Sequence, residues 1–412
     1  MPTRSPPSFR DALRAVLGPD IAGTRQGLVA LALSAATGTV AGITLGSITG
    51  TLEALPGLLV LVPAAVALRG NVFAALGSRL STAIHAGTFG MSRRADTVVG
   101  QNVIAAAVLT LVLSVVVALL AKVVAVGFGV ADSITVADYV VISVVGGVIA
   151  SLVIGAMALV LAAGSARYSW DLDNVAAPIL SSTGDLVTIP SLVVAANLAE
   201  LRLVTPSLAV VLTGAAAGAL WWAARSDLTL LRRLLVESLP LLTVVSLLSL
   251  VAGISIEKRL EAFVALPALL ALVPNYLGSA GALGGILSSR LATKLHLGLI
   301  EPARVPSRGA RRDMGTVFVL AAFSFTLTGA AAHLGSVAIG LESPGLADMV
   351  AVTLLGGLLA NVFIAAVAYY GTIVAVRFGL DPDTYGIPVV TSTLDLVGAF
   401  TLILAIAALG VG

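Results

Sequence analysis

The chain has 412 residues, 58% hydrophobic and 11% charged, with a mean hydropathy of +1.07 and a net charge of +2. A soluble domain carries about 25% charged residues, so most of this surface belongs in lipid, and the small net charge does not support nucleic-acid binding. There is no cysteine, which excludes thiolate metal sites, disulfides and thiol catalysis.

In chain order, residues 1–27 carry Arg4, Arg10, Arg14 and Arg25. They read as a cytoplasmic tail rather than a cleaved leader, because the apolar run that follows is long and no small-residue cleavage site stands out. Phe9, Leu13, Val16 and Leu17 fall at helical spacing, which suits either a surface helix or a loose tail. Eleven apolar stretches follow, at 28–50, 56–84, 99–127, 138–166, 178–199, 206–224, 235–256, 265–293, 314–338, 347–376 and 386–410. Each is about the length of a bilayer span, and none shows the short alternation of barrel strands. The fold class expected is an all-α polytopic membrane protein. With the N-terminus inside, 18 Lys and Arg residues fall in inner segments and four in outer loops, the bias that marks cytoplasmic loops. This orientation places the C-terminus outside a cytoplasmic membrane. Trp170, Trp221 and Trp222 fall at inner span ends, where aromatic belts sit.

The chain repeats itself. Leu52 to Pro63 recurs as Phe263 to Pro274 at a spacing of 211 residues. The same spacing maps Ser78-Arg79-Leu80 onto Ser289-Arg290-Leu291 and His85 onto His296. At a spacing of 210, Gly146-Gly147 maps onto Gly356-Gly357, and Asp173, Pro178 and Asp185 onto Asp383, Pro388 and Asp395. Each repeat holds five spans, so two repeats pointing the same way need one extra helix between them, which is span six. The organisation expected is a tail at 1–27, a first five-helix repeat at 28–200, a linking helix and basic loop at 201–234, and a second repeat at 235–412, the halves related by a twofold along the membrane normal. Substrate sites in repeat-built transporters lie at the repeat interface near mid-membrane.

An ionisable side chain inside a span is expensive and reads first as functional. Asp185 and Asp395 each lie seven residues past a proline, in the hydroxyl-rich runs Ser181-Ser182-Thr183-Gly184 and Thr391-Ser392-Thr393-Leu394. Two carboxylates with hydroxyl and carbonyl oxygens suit a hard cation such as Mg2+, Ca2+ or Mn2+. Without a cation the pair would tend to share a proton, so proton coupling competes, as does a structural role capping backbone or pairing with a neighbour. Asn71 in span two offers an amide oxygen, while the matched position is Ala282. Pro274-Asn275 with Gly278, Gly281, Gly284 and Gly285 suits either an unwound stretch or close helix packing. Arg69 lies deep in span two with no partner evident. The loop acids Asp171, Asp173, Asp381 and Asp383 suit a solvated loop or a cation-attracting mouth.

Pro63 through Gly70-Asn71 to Ser78-Arg79-Leu80-Ser81-Thr82 resembles the second-span signature of the MgtE magnesium transporter family. It is most similar to the tandem-repeat branch that includes the eukaryotic solute-carrier magnesium transporters. Pro178 to Asp185 and Pro388 to Asp395 resemble that branch's Asp-bearing span in both repeats. The resemblance implies a Mg2+ pathway between two five-helix halves, which one chain supplies here. It implies Asp185 and Asp395 as pore carboxylates, the backbone carbonyls of Ser181 and Thr391 as partners of a hydrated ion, and Asn71 as a lining residue. Mg2+ is then transported cargo, no cofactor is expected, and membrane lipid is the other partner. The bacterial relatives carry large cytoplasmic regulatory domains where this chain has a short tail. A Na+- or H+-coupled Mg2+ exchanger is the alternative, since the same carboxylates serve either mode. No Ser-Lys or His-Glu constellation in the spans supports an enzyme, and the matched carboxylates argue against a purely structural protein.

Overall fold

The computed structural model describes residues 21–92, 94–130, 132–168, 172–199, 204–378 and 387–411. The tail to residue 20, Trp170, Asp171, Asp381 and Asp383 lie outside the described residues, as do the side chains of Asp173 and His296. The described residues form helices: α1 (Ile21–Gly46), α2 (Thr49–Ala54), α3 (Leu58–His85), α4 (Val98–Gly127), α5 (Val136–Tyr168), α6 (Leu172–Ala199), α7 (Thr205–Arg225), α8 (Thr229–Glu257), α9 (Leu260–Ala265), α10 (Pro267–His296), α11 (Arg308–Ala338), α12 (Leu346–Arg377) and α13 (Ile387–Leu409). Eleven of these are long and apolar enough to cross a membrane. They match the eleven expected spans, because in lipid a helix satisfies its backbone groups internally.

The two short helices, α2 and α9, stand 211 residues apart and precede the matched helices α3 and α10, so the repeat extends to the turns. Residues 47–50, expected at the end of span one, therefore belong to a turn and to a separate short helix that runs to Ala54. α6 starts at Leu172, six residues before Pro178, so Asp185 lies further along its helix than a start at the proline implies. α10 stays helical through Pro274, Asn275 and the glycines that follow, so the stretch is not unwound; Gly284 packs tightly on Leu394, while Gly285 has open space beside it. α7 has no counterpart in the other repeat and packs on the outer side of α4 and α5.

The first helices of the two repeats are exchanged. α1 packs against α10 and α11 of the second repeat, and α8 packs against α3 and α4 of the first. Each then returns to the last helix of its own repeat, α1 to α6 and α8 to α13. This reciprocity is that of an isologous twofold interface, realised within one chain. Glycines allow it at matched positions. A Cβ on Gly42 would run into the carbonyl oxygen of Ala271, and one on Gly253 into that of Val60, each pair the other shifted by 211 residues. Gly38, Gly42 and Gly46 face Asn275, Ala271 and Pro267 down one side of α10, the small-residue stripe by which membrane helices approach closely. Asn275 Nδ2 donates to Thr39 Oγ1 at 2.9 Å and ties α1 to α10. We expect Gly42→Ala and Gly253→Ala each to destabilise the protein by about 1–3 kcal/mol, the usual range for overpacking a tight contact. The thermal midpoint of the purified protein in detergent checks this.

Candidate functional site

The exchange gathers six helices around the line between the halves, α1, α3 and α6 with α8, α10 and α13. Asp185 comes from α6 and Asp395 from α13. α10 passes both, with Gly278 before Asp185 and Gly281 before Thr391, one turn ahead of Asp395. Both side chains are half-buried, so they reach open space while being set among apolar helices.

The helix facing Asp185 belongs to the other repeat. A Cβ on Gly278 of α10 would stand 3.4 Å from Asp185 Oδ2 and 3.8 Å from Ser34 Oγ of α1. Any larger residue at 278 would fill the space before the carboxylate. Asp395 has a hydroxyl partner instead, because Ser249 Oγ on α8 donates to Asp395 Oδ2 at 2.8 Å. The position matched to Ser249 is Gly38, so the two carboxylates sit in unlike settings. Among the described residues no three His, Asp or Glu side chains come together. A cation at this pair would meet two protein carboxylates and would need its remaining ligands from hydroxyls, carbonyls or water.

Ser181 and Thr391 lie one turn before their aspartates. Ser181 is exposed and Thr391 half-buried, with Thr391 Oγ1 donating to the Pro388 carbonyl at 3.2 Å. Both stretches are helical, so each backbone carbonyl already serves the ladder and has one lone pair left. That geometry suits an outer contact through a retained water better than direct ligation. A Cβ on Gly281 would lie 3.9 Å from Thr391 Cβ, so α10 flanks this residue too. Asn71 on α3 is half-buried and lines a cleft with Arg79, Glu237, Ser238 and Pro388. A Cβ on Gly184, next to Asp185, would lie 3.9 Å from the Gly70 backbone nitrogen, which brings the start of the Asn71 face near the carboxylate level.

Arg69 is the deepest charge and sits apart from the pair. It is 1% exposed and donates to the Ala65 carbonyl at 3.1 Å, Ser114 Oγ at 2.7 Å and the Ser143 carbonyl at 3.2 Å. No acidic side chain is among these acceptors. A Cβ on Gly147 would collide with its guanidinium, so that glycine makes the space. His85 is exposed at the end of α3. Ser249, Ser34, Glu237 and Ser238 went unnoticed in the sequence because none recurs at the repeat spacing. The Gly38, Gly42 and Gly46 stripe was visible as a four-residue period.

A family model described as MgtE, divalent cation transporter, matches residues 62–195 and 273–405, two segments offset by the repeat spacing. The chain belongs to this family. As a member of the MgtE divalent cation transporters it is 29% identical over 380 residues to solute carrier family 41 member 2 of Xenopus laevis, across 84% of this chain and 64% of that one. It is 26% identical over 371 residues to solute carrier family 41 member 3 of Mus musculus, across 84% of this chain and 74% of that one. The chain thus spans 64% of the length of the Xenopus relative. A eukaryotic MATE transporter of known structure, AtDTX14, aligns over 94% of this chain at 14% identity with a TM-score of 0.31, too low to relate the folds. Both MgtE segments hold an Asp-bearing helix, α6 in the first and α13 in the second.

Proposed function

We propose that this MgtE-family chain passes hydrated Mg2+ across the cytoplasmic membrane between its two halves, down the ion's gradient. The observation that carries this reading is the pair of intramembrane carboxylates, Asp185 and Asp395, from matched helices of the two repeats. Two negative charges match the charge of one divalent ion, and the hydroxyls beside them are hard donors. Mg2+ gives up water reluctantly and is usually held by one or two carboxylates with several waters retained, which is the donor set available here. In this reading the carbonyls of Ser181 and Thr391 meet the ion's water shell, Asn71 lines the way from it, and Ser249 fixes the Asp395 carboxylate. One chain supplies both halves, with repeat boundaries at 28–200 and 235–412.

The arginine-rich end of the bundle faces the cytoplasm in this proposal, which puts the C-terminus outside. Arg225 stacks on exposed Trp221 at 4.5 Å at the end of α7, an arrangement suited to a lipid headgroup boundary. The test is Mg2+ uptake into liposomes holding the purified protein and a Mg2+-sensitive dye. Uptake that follows the Mg2+ gradient and is unchanged by opposing Na+ or H+ gradients is the expected result. Uptake that reverses when either gradient is reversed would replace the passive pathway with a coupled exchanger.

A further inference from the structure

The way from the carboxylate pair to the arginine-rich end differs between the two sides of the pseudo-twofold. Between α3, α8 and α13 lies a narrow cleft of about 30 Å3 lined by Asn71, Ala75, Arg79, Glu237, Ser238 and Pro388, among others. Asn71, Ala75 and Arg79 follow at four-residue steps, so they form one face of α3. Arg79 Nη2 donates to Ser238 Oγ at 3.5 Å and shares the cleft with Glu237, whose Oε1 accepts from Arg233 Nε at 2.8 Å. An amide, a hydroxyl and a carboxylate thus line the route in sequence from the site outward.

Shifting Asn71, Ala75, Leu109 and Ser238 by 211 residues gives Ala282, Ile286, Leu320 and Gly27. A Cβ on Gly27 would lie 3.8 Å from Leu320 Cδ1 and 3.9 Å from Ile286 Cδ1. Apolar side chains therefore occupy the place where the other side presents Asn71 and Ser238. A hydrated divalent ion needs polar groups to hold its waters, and at these two positions this side offers none, although it keeps Arg290 at the place of Arg79 and has Gln26 at the place of Glu237. The Asn71 cleft, which Val72, Leu109, Leu241 and Leu242 also line, has room for about two waters, so passage requires α8 to part from α3.

We propose that the cation crosses between the carboxylate pair and the cytoplasm on one side only, through the cleft at Asn71, Ser238 and Glu237, and that the matched groove at Ala282, Ile286 and Gly27 carries none. Glu237, which pairs with Arg233, is the carboxylate that lines the mouth beside Arg79. This rests on the Asp185–Asp395 reading above.

The chain has no cysteine, so single cysteines report without background. Ala75→Cys and Ile286→Cys proteins in liposomes are exposed on the arginine-rich side to a membrane-impermeant cationic thiosulfonate, with labelling followed by mass spectrometry and Mg2+ flux measured afterwards. Labelled Ala75→Cys is expected to lose flux by about tenfold, with labelling slowed by Mg2+, while Ile286→Cys changes less than about twofold. Equal block at Ile286→Cys, a labelled Ala75→Cys that still conducts, or an Ala75→Cys that never labels would overturn the one-sided route. Glu237→Gln needs no reagent and is expected to raise the half-saturating Mg2+ concentration on that side by about three- to tenfold; an unchanged value also overturns it. Asp185→Asn is the control for the underlying reading. Normal flux in Asp185→Asn removes the carboxylate site itself, whatever the cysteines show.

Discussion

Asp185→Ala combined with Asp395→Ala is expected to abolish Mg2+ flux and leave the protein folded and inserted. Among the described residues no third acidic side chain joins the pair to balance a divalent ion. Removing one partner of a buried charge interaction costs about 3–5 kcal/mol, and each 1.4 kcal/mol is about tenfold in rate. Each single Asp→Asn change should then lower flux by about 100-fold or more. The opposite sign is expected for stability without the ion, because holding two ionisable carboxyl groups within membrane spans is costly. The double variant should therefore melt at the same temperature as the parent or higher in the absence of Mg2+. It should also lose the stabilisation that bound Mg2+ confers on the parent, about 2.7 kcal/mol at a hundred times the dissociation constant. Thermal melts with and without Mg2+ read both effects. Flux near the parental value in the double variant would remove the site assignment.

The second large effect concerns Arg69. In the first repeat the core between α3, α4 and α5 holds Arg69, Ser114 and Gly147, and in the second the matched positions hold Ala280, Phe325 and Gly357. A Cβ on Gly147 would strike the Arg69 guanidinium, and a Cβ on Gly357 would strike the Phe325 ring. One guanidinium from α3 thus fills the space that one ring from α11 fills in the other half. Arg69→Ala alone leaves a cavity and strips Ser114 of its donor, with a cost of about 2–5 kcal/mol. Ser114→Phe alone forces a ring into the guanidinium. The double variant Arg69→Ala, Ser114→Phe copies the second repeat and is expected to be more stable than the sum of its parts by about 2–3 kcal/mol. A double-mutant cycle of detergent unfolding midpoints measures this coupling, and additive losses would show that the two cores are not equivalent. The double variant also separates packing from transport. Parental flux in a refolded double variant would make Arg69 a filler of the core.

Composition, the eleven spans, the doubled pattern and the matched aspartates were all legible in the residue order. Hydropathy acts over one span at a time, and a repeat is a translation along the chain, so neither needs knowledge of which helix touches which. Asp185 and Asp395 stood out for the same reason, being acids in apolar runs at a spacing the whole chain shares. Their neighbours did not stand out. Ser249 reaches Asp395, and Gly278 faces Asp185, only because α1 and α8 change places between the halves. That exchange depends on Gly42 meeting the carbonyl of Ala271 and Gly253 meeting that of Val60, contacts between residues some two hundred positions apart. Helix–helix fit in a membrane is decided by shape and close backbone approach rather than by hydropathy. Residue order therefore told which side chains had to escape lipid and that Asn71 has no match at Ala282, while three-dimensional packing chose their partners.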